Sequence, residues 1–291
     1  MQPTRPVEAP RPVPGPAAGS PYRLVIEPSN GAPKISLGEL WHYRDLLYFL
    51  TRREISIRYK QTLLGLAWAV LQPFLSMVVF SLFLGRLAGV ESSGLPYPVF
   101  SYLGLLPWTY FANALTRSSA SLVSNANLLS KVYFPRLLIP LSSTLSALVD
   151  FGIAFLVLLG LLAWYRIPLA ASVLWLVPLT LVTALLATGI GMGLAALNVQ
   201  YRDVQHAIPF LLQLWMFATP VVYPVDRVPE RWRFLLALNP MNGIIQAYRA
   251  APLGQPVDFK ALAVSGAVGL VLGILGVWRF RRMEKTFADV V

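Results

Sequence analysis

The dominant pattern along the chain is a series of long apolar runs separated by short polar connectors. An α-helix rises 1.5 Å per residue, so about 20 apolar residues cross a hydrocarbon core of about 30 Å. We predict six membrane-spanning helices, and hence an all-α membrane protein. Their expected bounds are about 63–84, 99–122, 137–164, 171–198, 208–223 and 261–280.

Two of these runs carry polar groups. The second contains Asn113, Thr116 and several serines, which we expect to face neighbouring helices or a water-filled path because lipid cannot satisfy them. The third contains Asp150, where an unpaired charge costs several kcal/mol. No basic residue lies near it in the sequence. Asp150 is either part of a pathway or proton-linked site, or a hydrogen-bonded contact between helices.

Three segments outside the runs have their own patterns. Residues 37–60 mix apolar and basic positions at helical spacing, which predicts an amphipathic helix lying in the membrane interface; a soluble helix packed on a core is the alternative. Residues 224–260 contain an apolar stretch interrupted by Pro240 and Gly243, which favours two re-entrant half-helices over a plain amphipathic loop. Residues 1–36 are rich in Pro, Ala and Gly and predict a disordered tail. Residues 37–291 then form the transmembrane domain.

Composition agrees with a membrane protein. Only 13% of the residues are charged, against roughly a quarter in soluble domains, and the net charge is +11. Basic residues cluster at the ends of runs that share one side, which predicts that this side, with both termini, is cytoplasmic. Arg227, Arg231 and Arg233 fall on the other side, but in a longer insert whose charge matters less.

Several classes of chemistry are excluded by the sequence. There is no cysteine, so disulfides and zinc–thiolate sites are absent. The sequence has no HExxH, GxSxG or GxxxxGK[ST] motif, and we expect neither a metal site nor enzymatic activity. His42 and His206 are far apart, and we interpret both as interfacial residues. Gly189, Gly191 and Gly193 lie inside an apolar run and indicate close helix approach.

Two short connectors, 124–136 and 199–206, lie on the predicted cytoplasmic side. Each is long enough for one or two helical turns that a soluble motor protein could push. An ordinary loop is the equal alternative from these residues alone.

Four segments together carry a resemblance to a known family. They are WHYRDLLYFLTRREISIRYKQTLLGLAWAVLQP (41–73), PWTYFANALTRSSASLVSNANLLSKVYFPR (107–136), FATPVVYP (217–224) and NPMNGIIQAYR (239–249). In order and spacing they resemble ABC-2 type permeases that export O-antigen, capsule or teichoic acid, and the similarity covers about 37–284. Gly243 departs from the pattern, which often has a polar or aromatic residue there, and the Pro-rich tail is not a family feature.

The resemblance implies how the protein works. It implies an inner-membrane homodimer with a channel between the subunits and a separate ATPase subunit, two copies per complex, that binds ATP and Mg. This chain itself would hold no cofactor. Its net positive charge could indicate nucleic acid or an anionic membrane surface as partner, and the position of the basic residues beside apolar runs favours the membrane and no nucleic acid. The cargo would be a polysaccharide on undecaprenyl diphosphate. A permease for a small drug or lipid is the alternative, and a membrane enzyme is disfavoured because no cluster of catalytic groups is visible.

The resemblance also implies three sets of functional residues. The basic residues expected to bind the lipid diphosphate, or alternatively to attract ordinary anionic lipids, are Arg52, Arg53, Arg58 and Lys60. Aromatic candidates to line the channel, each with packing or an interface belt as the alternative, are Trp68, Phe74, Trp108, Tyr110, Phe111, Trp215, Phe217 and Tyr223. Candidates for coupling to the ATPase are Asn127, Lys131, Tyr133, Phe134, Arg136, Arg202 and Asp203.

Overall fold

A computed structural model describes residues 37–60, 65–92, 94–132, 134–284 and 287. The regular elements of this described part are all helical. The α-helices are α1 (Leu37–His42), α2 (Arg44–Lys60), α3 (Gly65–Phe80), α4 (Tyr97–Ser124), α5 (Ala126–Lys131), α6 (Leu138–Trp164), α7 (Leu176–Gln200), α8 (Val204–Ala218), α9 (Glu230–Ala237), α10 (Pro240–Ala250) and α11 (Phe259–Met283). The predicted disordered tail, residues 1–36, lies outside the described residues.

Four helical stretches in the described part of the chain are long and apolar enough to cross a membrane. They are Ala67–Leu87, Leu138–Trp164, Ala171–Gln200 and Phe259–Met283. The first joins α3 to a π-helical turn at Ser81–Leu87, and the third joins a 3-10 turn at Ala171–Trp175 to α7. These stretches correspond to the predicted first, third, fourth and sixth spans.

The predicted second span is α4, which has 28 residues but a more polar composition. It is the central helix and packs against α3, α6, α7, α8 and α10. Its serines at 101, 118, 119 and 121 are buried against these neighbours. Protein contacts on nearly every side therefore explain how this helix accommodates polar groups that lipid would not satisfy.

The predicted fifth span, 208–223, begins and ends later in the sequence than the helix that the structure has there. Its helix, α8, begins at Val204 and ends at Ala218, so the expected helical residues 219–223 are not helical. The residue before a proline is disfavoured in the α conformation. Thr219 precedes Pro220 and is extended, with φ −107° and ψ 139°. With 15 residues, α8 is about 22 Å long, less than a full hydrocarbon core.

The segments predicted to lie in or dip into the membrane are each divided in two. Residues 37–60 form α1 and α2, with a break at Tyr43. The insert forms α9 and α10, which are divided just before Pro240, whereas Gly243 lies inside α10 and does not interrupt it. The side chain of Asn239 accepts a hydrogen bond from Met241 N and caps α10.

Glycines allow α7 to pack closely on α11. A methyl group at Gly189 would lie 2.5 Å from Gly273 Cα, and one at Gly193 would lie 2.8 Å from Gly276 Cα. Gly243 of α10 approaches α11 in the same way, with a methyl group 2.4 Å from Ala261 O. Small residues thus bring these backbones together, as in many membrane bundles.

A separate cluster of buried residues lies at the end of the bundle that carries the connectors. We call it the connector core. It joins α2, α4, α6, α7 and α11 through Leu50, Leu122, Phe134, Leu137, Leu138, Ile139, Met192, Ala195, Ala196, Val199, Phe280 and Phe287.

Candidate functional site

The main polar cluster of the described chain surrounds Asp150. Its carboxylate accepts from Arg58 Nη1 at 2.6 Å and from Arg117 Nη2 at 2.7 Å, and the Tyr59 hydroxyl donates to its other oxygen. We call Arg58, Tyr59, Arg117 and Asp150 the Asp150 cluster. These residues come from α2, α4 and α6, so the cluster joins the predicted interface helix to two helices of the bundle.

One face of α6 positions Asp150 against α2. Ser143, Ser146 and Asp150 follow one another at intervals of three and four residues, which places them on one side of the helix. Ser143 Oγ donates to Glu54 at 2.8 Å, and Arg58 Nη2 donates to Ser146 Oγ at 3.3 Å. Polar contacts therefore hold α2 along the α6 surface over about two helical turns.

Asp150 is the common hydrogen-bond acceptor of the cluster. Two guanidinium groups contact one carboxylate whose side chain is only 14% exposed. Burial, and after it the hydrogen bond to Asp150, raise the pKa of the Tyr59 hydroxyl to about 12. Tyr59 therefore stays protonated at neutral pH and remains a donor to the carboxylate.

A cavity of about 110 Å³ adjoins the cluster. It lies between α2, α3, α4 and α6, and its walls combine aromatic, amide and charged side chains. Its lining residues include Trp68, Gln72, Thr109, Tyr110 and Asn113 together with the Asp150 cluster. Two donors in this wall, Arg117 Nη1 and the Tyr110 hydroxyl, are buried and have no hydrogen-bond partner among the described residues.

The structure places the four predicted cations in different environments. Arg52 and Lys60 are exposed on α2. Arg53 donates to Asn125 Oδ1 at the end of α4, and Arg58 belongs to the Asp150 cluster. Sequence reasoning missed Arg117, although a basic residue inside a membrane-length run was a visible signal.

The eight aromatic candidates also fall into different environments. Trp108, Tyr110 and Phe111 are buried within the subunit, so their side chains have no free face for a passing glycan. Trp215 is half-buried and packs edge-on against Trp108 and Phe111. Those with substantial exposure are Trp68 at 53%, Phe74 at 40% and Phe217 at 50%. The half-buried Tyr223 donates its hydroxyl to Phe217 O at 2.9 Å.

The coupling candidates are similarly mixed. Asn127 and Lys131 on α5, and Arg202 and Asp203 before α8, have exposed side chains. Phe134 is instead 6% exposed in the connector core. The Arg136 guanidinium donates to Glu284 O near the end of α11. Tyr133 lies outside the described residues.

The structure joins two of the segments that sequence analysis singled out, 217–224 and 239–249. Asn239 Oδ1 accepts from Trp215 Nε1 at 3.1 Å, and its Nδ2 donates to Thr219 Oγ1 at 2.7 Å. Arg249 is 8% exposed, donates to Val221 O and lies 3.9 Å over the Phe100 ring. These buried polar contacts fix the non-helical stretch after α8 to α10, and neither residue was predicted to have that role.

The sequence profile described as ABC-2 type transporter matches residues 45–252, from α2 to the turn after α10. This match spans more than half of the chain. The chain belongs to the ABC-2 type transporter family. As an ABC-2 protein with four helices of spanning length in its described part, it is an integral membrane protein.

Individual ABC-2 proteins are similar to the chain over most of their length. It is 33% identical over 258 residues to the O-antigen export system permease protein of Myxococcus xanthus, which covers 87% of this chain and 98% of that protein. It is 27% identical over 259 residues to the O-antigen export system permease protein of Klebsiella pneumoniae, covering 89% and 98%. It is 25% identical over 241 residues to the polysialic acid transport protein of Escherichia coli, covering 79% and 90%.

Proposed function

We propose that this ABC-2 protein is the permease subunit of an ABC transporter that exports an O-antigen-like polysaccharide, linked to undecaprenyl diphosphate, across the inner membrane. The single observation that carries the proposal is its similarity, over almost the whole length of each relative, to O-antigen export permeases. The similarity to a polysialic acid transport protein favours a long glycan over a small drug or lipid as cargo.

The proposed assembly is a homodimer with two copies of a separate ATPase subunit, which supplies ATP hydrolysis. Each subunit crosses the membrane six times, with α4 and α8 as the second and fifth spans and both termini in the cytoplasm. The short length of α8 fits this arrangement because α9 and α10 would re-enter the outer leaflet and fill the depth of membrane that α8 does not reach.

The glycan path would use the exposed aromatic candidates. Sugars stack on aromatic faces, and Trp68, Phe74 and Phe217 present such faces at the subunit surface. Arg52 and Lys60 are exposed on α2 and would attract the lipid diphosphate. Trp108, Tyr110 and Phe111 are left out of the path because they are buried.

Coupling to the ATPase would use the exposed sides of the connectors. Asn127, Lys131, Arg202 and Asp203 are exposed at the same end as the connector core. A force applied to them would reach α4, α6, α7 and α11 through that core, because all four helices contribute buried residues to it.

The proposal is tested by co-purifying the protein with its ATPase and measuring ATP hydrolysis in lipid nanodiscs. We expect undecaprenyl-diphosphate-linked polysaccharide to stimulate hydrolysis, and undecaprenyl diphosphate without glycan to stimulate it less. Stimulation by small amphipathic drugs, with none by the lipid-linked glycan, would overturn the proposal in favour of the small-substrate alternative.

A further inference from the structure

The cavity beside Asp150 has more hydrogen-bond donors than acceptors. Among the described residues that line it, Asp150 is the one acidic side chain, whereas two side chains, Arg58 and Arg117, are basic. Asp150 Oδ2 accepts from both arginines, and Tyr59 occupies its other oxygen. Arg117 and Tyr110 also line the cavity, and the buried Arg117 Nη1 and Tyr110 hydroxyl have no partner among the described residues.

This surplus has a direct physical meaning. Leaving a buried donor without an acceptor destabilises the folded state, and a charged donor does so more strongly. Tyr110 is only 3% exposed, so its hydroxyl cannot be satisfied by bulk water. Two unpaired donors and an excess of positive charge in one cavity therefore favour a further anionic acceptor.

The donor set fits a phosphate group. Guanidinium groups present planar pairs of N–H donors that match phosphate oxygens, and Gln72 and Asn113 add amide donors in the same wall. The half-exposed Trp68 also lines the cavity, so the cavity borders the surface between α2 and α3. A headgroup held at that surface would be at the depth of the predicted interface helix.

We propose that this cavity binds a phosphate-class anion, and that Asp150 is a resident carboxylate which the phosphate displaces from Arg58 and Arg117. The proposal deepens the proposed function and rests on it for the natural ligand, the diphosphate of the lipid carrier. It moves the principal phosphate contacts from the exposed cations of α2 to the pair Arg58 and Arg117.

Displacement of Asp150 would leave α2 attached to α6. Glu54 accepts from Ser143 Oγ and Ser146 Oγ one helical turn away from Arg58 and does not line the cavity. Asp150 can therefore exchange its partners without separating the two helices. The side chains that change hydrogen-bond partners on phosphate binding would mainly be those of Arg58, Tyr59 and Arg117.

The test is a binding titration of the full chain in nanodiscs of zwitterionic lipid. The probes are farnesyl diphosphate and inorganic diphosphate, measured by calorimetry. Preference for farnesyl diphosphate identifies a lipid headgroup site, whereas equal binding of both identifies a site for free phosphate compounds. Absence of saturable binding of either probe would overturn the proposal.

Four variants separate a ligand site from a purely structural cluster. Arg117→Gln should weaken binding by about tenfold or more, the usual effect of losing charge-assisted hydrogen bonds. Asp150→Asn should instead tighten binding, because the competing carboxylate is gone. Tyr110→Phe should weaken binding while thermal stability is unchanged or raised, because an unpaired buried hydroxyl is removed. Arg44→Gln, at the exposed start of α2 and away from the cavity, should bind like the unmodified chain.

The signs of these changes distinguish the two roles. Weaker binding by Asp150→Asn in a folded protein would overturn the exchange with Asp150, and unchanged binding by Tyr110→Phe and Arg117→Gln would overturn the site. Should Asp150→Asn fail to fold, the Tyr110→Phe and Arg117→Gln titrations still test whether the cavity binds phosphate. Normal diphosphate binding combined with no response of the ATPase complex to lipid-linked glycan would refute the proposed function alone and uphold this site.

Discussion

At the scale of single residues, the close packing between α7 and α11 depends on glycines. Gly189 and Gly193 lie against Gly273 and Gly276 of α11, at distances that leave no room for a side chain. By contrast, a methyl group at Gly160 of α6 would meet nothing within 4 Å. Position, and not glycine content, determines which of these residues the fold requires.

We predict that Gly189→Ala destabilises the protein, whereas Gly160→Ala does not. The new methyl group would lie 2.5 Å from Gly273 Cα, so the two backbones must separate. Overpacking of this kind costs about 1–3 kcal/mol. Thermal unfolding in detergent should show a lower midpoint for Gly189→Ala. Equal midpoints for the two variants would contradict the packing described for α7 and α11.

Phe134 and Lys131 are a second pair of single residues with opposite expectations. Truncation of a buried phenylalanine costs about 3–5 kcal/mol, and Phe134 is 6% exposed in the connector core. We therefore predict that Phe134→Ala lowers thermal stability. Lys131→Glu, at an exposed position of α5, should leave stability intact and reduce substrate-stimulated ATP hydrolysis of the complex.

Measuring both properties on both variants distinguishes packing from coupling. A stable Phe134→Ala protein would argue against the connector core. Full stimulation of the ATPase by Lys131→Glu would remove α5 from the proposed docking surface.

The sequence predicted individual polar residues better than their partners. Asp150 was identified because a carboxylate inside an apolar run is unusual. Its contact with Arg58 was invisible because 92 residues separate the two. The same limit applies to the aromatic candidates: composition marks Trp108 and Trp68 alike, but only tertiary packing buries one and exposes the other.

At the scale of elements, the structure attaches the predicted interface helix to the bundle by polar contacts. Glu54 and Arg58 are four residues apart on α2 and face Ser143, Ser146 and Asp150 on α6. This attachment is more specific than a helix held only by its amphipathic surface. It also predicts which positions of α2 are close to α6.

A crosslinking experiment tests this attachment in a chain that has no native cysteine. We predict that a short bismaleimide joins cysteines introduced at Glu54 and Ser143, because these side chains are 2.8 Å apart at their oxygens. The exposed Arg52 provides the matched control, paired with the same Ser143→Cys change. Efficient crosslinking of the control and not of the first pair would mean that α2 presents a different face to α6.

Element boundaries are predicted well where the apolar run itself determines them. The prediction 137–164 differs by one residue from Leu138–Trp164. The prediction 208–223 is wrong at its end because hydropathy does not register the conformational effect of Pro220 on Thr219. The prediction that the insert divides into two short helices at Pro240 agrees with α9 and α10, because a proline at the first helical position stabilises the start of α10. The predicted break at Gly243 is wrong, because Gly243 lies inside α10.

At the scale of the whole molecule, α4 shows why hydropathy identifies some spans more clearly than others. Stretches such as α6 and α11 present apolar side chains outward, so their composition resembles the lipid core. A helix surrounded by other helices needs no such composition, and α4 carries buried serines together with Arg117. The sequence predicted α4 as the second span despite its polar residues, and the packing of the helix explains where those residues lie.

We predict opposite labelling of two engineered cysteines in intact cells. With six spans, Asn127→Cys on α5 should react with a membrane-impermeant maleimide only after the cells are opened. Gln255→Cys, exposed between α10 and α11, should react in intact cells. Reaction of Asn127→Cys from outside would place its connector out of reach of a cytoplasmic ATPase.

The glycine contacts between α7 and α11 have a mechanical consequence. Two backbones in contact at Gly189–Gly273 and Gly193–Gly276 cannot slide past or rotate against each other without a steric collision. Helices α7 and α11 would therefore move as one rigid unit during a transport cycle. Any widening of a passage for a bulky polymer would then occur at helix contacts other than this one.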